Sequence, residues 1–185
     1  QLNRVLSAAD LQLFFLERSG LLLQVGASEI QFAHRSFQEF FTAKYLMAEK
    51  DWQVLNNNAS KDYWHGTIQL AIGLCESKKD NERFLNSLLE QAKSHEQYHR
   101  HNKAIPLYLL VLRCKESMRE ISPLFAERLT AIMPKIIPPP TAGIRDAVAD
   151  AGDLALPYLK RGQQRAIQKD YYCAQALIEM GTAEA

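Results

Sequence analysis

Three of the five histidines, His95, His99 and His101, fall within seven residues. Placed on one helix, His95 and His99 share a face, and helical zinc pairs use this spacing. The run His95-Glu96-Gln97-Tyr98-His99 also fits the loose H-E-x-x-H spelling of metalloproteases. The surroundings argue against that chemistry. Lys93 to Lys103 is polar throughout and has no apolar face to hold a catalytic helix in a core. Beyond His101, no further ligand follows at a recognisable spacing. The segment reads as a solvated connector without a metal.

The cysteines carry less. Cys75, Cys114 and Cys173 lie far apart among apolar residues of helical stretches. Their number is odd, and no C-x-x-C pair exists. A zinc or redox motif is therefore absent, and a disulfide framework is not expected. Buried thiols in a reducing cytoplasm are the reading. His34 stands differently: it closes an alternating stretch just before a helix.

The elements that must position these residues follow from patterning. Ser7 precedes Ala8-Ala9-Asp10 as an N-cap with an acid in the first turn. Leu11, Phe14 and Phe15 form a stripe at helical spacing, and Gly20 should end the helix. Leu21–Val25 and Ile30–His34 flank Gly26-Ala27-Ser28-Glu29, which predicts a β-hairpin. Alternation places Ile30, Phe32 and His34 on one face, taken as the inward one. Ser36-Phe37-Gln38-Glu39 spells a capping box for a helix through about Lys50. Its aromatic residues Phe37, Phe40, Phe41 and Tyr45 predict burial over more than one stripe.

Asn56-Asn57-Asn58 predicts a loop, and helices at short intervals follow from about Asp62. Phe84/Leu85/Leu88/Leu89 and Ile105/Leu107/Leu109/Leu110/Leu112 supply two of their apolar faces. Ser122-Pro123 opens another, with proline at the first helical position. Pro134 and Pro138-Pro139-Pro140 should break the chain and form a stiff spacer. Residues 141–185 are rich in alanine, and their short helices suit stacked helical pairs.

Composition limits the function classes. The 185 residues are 47% hydrophobic and 23% charged, as globular chains are. The net charge of +1 lacks the basic excess of a dedicated nucleic-acid binder. The longest apolar run, Ile105 to Leu112, is far short of the roughly 20 residues that cross a bilayer. The chain begins at Gln1 and ends at Ala185 within a helical pattern, so the expectation is a piece of a longer protein.

One segment is more specific. Phe32-Ala33-His34-Arg35-Ser36-Phe37-Gln38-Glu39-Phe40-Phe41-Thr42-Ala43-Lys44-Tyr45-Leu46, preceded by Phe15-Leu16-Glu17-Arg18-Ser19-Gly20-Leu21-Leu22, resembles the end of the winged-helix domain of NACHT-type signalling NTPases. These belong to the STAND class of nucleotide-controlled switches. Family members often carry F-x-H-x-S-F-Q-E-F-F-A-A-x-Y-L; this chain departs from it with Thr42 where alanine is common. The resemblance covers about residues 5–50. From the residues alone, His34 is a core histidine capping the following helix. The resemblance implies instead that His34 contacts the β-phosphate of bound ADP in the full-length protein and holds the inactive state.

The expected architecture is mainly α: a partial winged helix with one β-hairpin, then an α-helical, HEAT-like superhelical array. Residues 1–50 form the winged-helix end, 51–137 a helical domain, and 138–185 truncated HEAT-like repeats. Ile144–Gly152 and Tyr172–Gly181 look like second helices of such repeats, each ended by glycine. The chain has no G-x-x-x-x-G-K-[ST] and no apolar strand ending in paired acids for Mg²⁺. No catalytic residue is expected in it; a P-loop and ADP or ATP with Mg²⁺ would belong to the parent protein. The implied partners are its own upstream NTPase module, further copies on activation, and a trigger ligand, in a cytoplasmic setting of innate or antiviral defence. Neither a membrane nor a nucleic acid is expected. Two other readings are a winged-helix DNA-binding regulator and a plain α-helical interaction scaffold. The turn Gly26–Glu29 weighs against the first, since it carries an acid and no base.

Overall fold

In the computed structural model, residues 7–26, 29–139, 141–150, 152–162 and 167–181 are described. Ala27 and Ser28 of the expected turn, Pro140, and both chain ends lie outside them. The fold is mainly α with a single two-stranded hairpin among the described residues. Ten α-helices are described: α1 (Ala8–Leu13), α2 (Arg35–Ala48), α3 (Trp52–Asn58), α4 (His65–Leu74), α5 (Lys78–Gln97), α6 (His101–Glu116), α7 (Pro123–Ile136), α8 (Ala142–Asp150), α9 (Leu156–Gly162) and α10 (Ile167–Glu179). Strands β1 (Leu22–Gln24) and β2 (Ile30–Phe32) stand between α1 and α2.

Several starts and stops obey local rules. Ser7 Oγ accepts from the Asp10 N–H, and the Asp10 carboxylate accepts from the Ser7 N–H, closing a capping box. A π-helical turn, Phe14–Arg18, extends α1, and Gly20 turns the chain away at φ 65°. The hairpin pairs Leu22 with Phe32 and Gln24 with Ile30, and the Val25 N–H donates to the Glu29 carbonyl, so Glu29 belongs to the pairing rather than to the turn. Ser122 Oγ accepts from the Phe125 N–H at 3.2 Å, and Pro123 opens α7. Gly181 follows α10 at φ 66°, the left-handed stop expected there.

The core lies in the helical region. Leu85, Leu88 and Leu89 of α5 and Leu107, Leu110 and Leu112 of α6 are fully buried against one another's helices. Each such side chain contributes about 1.5–3 kcal/mol relative to exposure. Helix α7 runs beside α5 in the same direction: Ser122 meets Glu82, Arg128 meets Asn86 and Glu90, and Lys135 meets Glu96. Helix α4 packs on α2 and α6, and α8 on α6 and α10. One apolar cluster runs from Ala43 to Leu177.

Four local expectations are corrected. The three asparagines at 56–58 are helical, because α3 is tied to α5: Asn56 Oδ1 accepts from Ser87 Oγ and Gln91 Nε2, both at 2.8 Å. Pro134 lies inside α7, which continues to Ile136. The burial of Ile132, Met133 and Ile136 offsets the hydrogen bond lost at the proline. The chain leaves the helix before Pro138, as expected, but Ile137 and Pro139 are buried, so the segment packs on the core instead of acting as a spacer. The aromatic surface of α2 is not buried over several stripes: only Ala43 and Leu46 are buried, and Phe41 and Tyr45 are exposed. The hairpin and α1 are too small to cover it.

Candidate functional site

The site the sequence singles out is the junction of β2 and α2. His34 has extended backbone, φ −133° and ψ 140°, and occupies the N-cap position of α2. Its carbonyl accepts from the Phe37 N–H at 3.1 Å, but its side chain caps nothing. The imidazole is exposed and lies 5.9 Å from the Phe37 ring, centroid to centroid. The inward placement read from strand alternation is therefore corrected. Of the face Ile30, Phe32 and His34, only Phe32 is half-covered, by Phe41 in a stacked pair at 5.9 Å. An exposed imidazole without a hydrogen bond can donate to a phosphate oxygen, and does so more strongly when protonated.

The capping box at Ser36 does not form, since α2 begins two residues earlier than that box requires, at Arg35 with His34 as N-cap. The Glu39 carboxylate instead accepts from Arg35 Nε at 2.7 Å. Arg35 Nη2 donates to the Tyr63 carbonyl at 2.6 Å. Nothing in the local pattern around Arg35 marks it as more than a solvent-facing group. Its partner on the turn before α4, 28 residues away, is what pattern could not reveal. Arg35 thus ties the His34 junction to the first helices of the core.

Phe37 and Phe40 are half-buried and Phe41 is exposed, so these rings are not the core they were expected to be. Eight of the fourteen exposed large apolar side chains among the described residues lie between Leu11 and Tyr45. The unit carrying His34 thus leaves much apolar surface open to water. Scattered exposed apolar residues are ordinary; it is a large contiguous patch that marks an interaction site.

The other candidate cluster does not assemble. His95 lies in the last turn of α5, His99 lies outside it at φ 57°, and His101 opens α6. The helix ends because His99 takes the left-handed position of a Schellman stop: Arg100 N–H donates to the His95 carbonyl at 2.8 Å, and His99 N–H to that of Glu96 at 2.9 Å. His95 and His99 therefore do not share a helical face. Among the described residues no group of three or more His, Cys, Asp or Glu side chains is placed to hold a metal. The solvated connector is also shorter than expected: Lys93–Gln97 belongs to α5, and only residues 98–100 join the two helices.

Glu96 is engaged elsewhere. Lys135 pairs with it and donates to Tyr108 Oη at 3.1 Å. Burial pushes the Tyr108 phenol above its ordinary range, and the hydrogen bond with Glu96 adds to this. Burial alone would lower the Lys135 ammonium, but the hydrogen bonds with Glu96 and Tyr108 outweigh it and raise the pKa. The three groups clasp α5, α6 and α7. Cys114 and Cys173 are buried and form no disulfide among the described residues, and burial raises the Cys114 pKa far above its usual value, which makes it a poor nucleophile.

No helix among the described residues is long and apolar enough to cross a membrane. No family model, curated protein or solved structure matches the chain.

Proposed function

We propose that this chain is a regulatory and scaffold part of a NACHT-type signalling NTPase. In this reading the unit of α1, hairpin and α2 docks on an upstream nucleotide-bearing module. His34 contacts the ADP phosphate, and Arg35 and α2 relay the nucleotide state to a HEAT-like helical region acting in innate or antiviral defence. The observation that carries it is the position of His34: exposed, without a hydrogen bond among the described residues, at the edge of a unit rich in uncovered apolar side chains. A histidine held only for packing would be buried with a satisfied ring. The two states would differ in whether His34 meets the nucleotide, and only such differential contact biases a switch.

The test is His34→Ala in the full-length protein, with ADP retention and basal activity as readouts. A lost charge-assisted hydrogen bond of about 1.5–3 kcal/mol predicts ADP release faster by at least about tenfold, with raised basal activity. Unchanged ADP retention would sink the role of His34. Absence of a P-loop in the coding sequence before Gln1 would sink the whole reading.

A further inference from the structure

Arg113, on α6, is half-buried, yet among the described residues nothing pairs with its guanidinium or accepts a hydrogen bond from it. Several other charged groups that are partly withdrawn from water have partners: Glu39 has Arg35, Glu82 has Ser122, and Arg145 has Asp146 and Glu179. Arg113 instead lines a cavity of about 400 Å³ between the start of α4, the middle of α6 and the start of α8. Leu109, Leu110 and Ile144 give that cavity apolar walls. His65 and Asp62 also line it. His65 Nε2 lies 3.0 Å from the Ala59 carbonyl, so this nitrogen donates there and Nδ1 is left for other use. The Asp62 carboxylate is 92% exposed and 4.0 Å from His65, which places a negative charge at the rim.

We infer that this cavity binds a small amphiphilic carboxylate, with its head on Arg113 and its hydrocarbon body against Leu109, Leu110 and Ile144. The guanidinium fork matches a carboxylate in two parallel hydrogen bonds. Partial burial strengthens that attraction relative to open water. The volume falls within the roughly 300–1,000 Å³ of small-molecule sites, which combine apolar walls with few polar anchors. The apolar lining favours a ligand with a hydrocarbon body, and Asp62 disfavours a dianion such as phosphate. The inference stands apart from the nucleotide reading, since the cavity includes no residue of the His34 junction.

The experiment is an NMR titration of the full 185-residue chain with hexanoate, hexanol and inorganic phosphate in parallel. Hexanoate is expected to shift the Arg113 Nε–H and Ile144 methyl signals saturably. Hexanol and phosphate should each bind at least about tenfold more weakly, the value of one charge-assisted contact. Arg113→Gln should lose hexanoate binding by at least about tenfold while keeping the melting temperature, and Arg113→Lys should fall between, since an ammonium cannot form the fork. Absence of saturable shifts, or equal hexanoate binding by Arg113→Gln, would overturn the site. Phosphate binding as tightly as hexanoate would overturn the carboxylate assignment. Should Arg113→Gln fail to fold, hexanoate against hexanol on the unaltered chain makes the same decision: equal affinity overturns the role of the charge.

Discussion

Glu39 is held by Arg35 at 2.7 Å, and its carboxyl group rests against Gly66 of α4, where an added Cβ would come within 2.5 Å of Oε2. The pair replaces the capping box that Ser36 and Glu39 spell in sequence. It also explains how α2 approaches α4: the glycine leaves room for the carboxylate. Gly66→Ala therefore displaces only the tip of a flexible side chain. The ion pair, part-exposed, is worth about 0.3–0.5 kcal/mol. Alanine gains about 1 kcal/mol over glycine in a helix. Gly66→Ala is expected to leave urea stability unchanged or raise it by a few tenths of a kcal/mol. A loss above about 1 kcal/mol would show that the Arg35–Glu39 pair does more than its exposure allows.

Two of the serines that look like N-caps, Ser122 and Ser36, should behave differently. Ser122 caps α7, and Glu82 accepts from both its N–H, at 2.5 Å, and its hydroxyl, at 2.7 Å. Ser122→Ala should cost about 1–2 kcal/mol in urea unfolding. Ser36 caps nothing, and Ser36→Ala should fall within about 0.5 kcal/mol of the parent.

Two helices stop on residues in the left-handed region that are not glycine: Lys50 after α2 at φ 55°, and His99 after α5 at φ 57°. Asp51 N–H donates to the Leu46 carbonyl at 2.9 Å, so Lys50 holds the same Schellman position as His99. An L-residue there costs about 1–2 kcal/mol that glycine does not. Lys50→Gly and His99→Gly should each raise stability, by about 0.5–1 kcal/mol after the larger chain entropy of glycine is counted. Thermal unfolding of the two variants checks this, and a fall in melting temperature for either would contradict the left-handed stop.

These cases mark what the residues disclosed in advance. The Ser7 cap, the existence of the hairpin, the Ser122-Pro123 start and the apolar faces of α5 and α6 all rest on neighbours within one or two turns, so pattern was enough. The errors have long-range causes. Asn56 is helical through Ser87 and Gln91, and Pro134 is carried by core burial around it. His99 is the local exception: it ends α5 in the left-handed region without being glycine. At the candidate site, the order hairpin, histidine, helix was legible. The exposure of His34 was not, because alternation tells which residues share a face but not whether anything covers it.

Alkaline pH should act on the clasp of Tyr108, Lys135 and Glu96. The folded pKa values of Tyr108 and Lys135 are both raised above their ordinary values of 10.0 and 10.5. Between each ordinary value and the raised one, the folded state keeps a proton that the unfolded state has released. Stability is thus fully present below about pH 10 and falls as pH rises through the raised values. Tyr108→Phe removes one titrating group and one hydrogen bond. It should cost about 1 kcal/mol at pH 8, yet show a shallower decline above pH 10. Chemical denaturation at pH 8, 10 and 11 separates the two effects; an unchanged slope would mean that Tyr108 is not protonated in the fold at high pH.

The exposed apolar side chains of the first unit give the sharpest functional contrast. Leu13 is 51% exposed and Tyr45 is 65% exposed, so neither contributes much to the core of this chain. Leu13→Lys and Tyr45→Lys should change urea stability by no more than about 0.5 kcal/mol. If this face docks on a nucleotide-bearing module, each charge would be buried unpaired in the contact and weaken it. In the full-length protein both variants should then release ADP faster, as His34→Ala does, while a lysine at exposed Leu124 on α7, 65% exposed, should not. Leu124→Lys serves as the matched control because its side chain is as open as that of Tyr45 but lies outside the first unit. Equal ADP retention across all three lysine variants would remove the docking role from the first unit, whatever His34→Ala does.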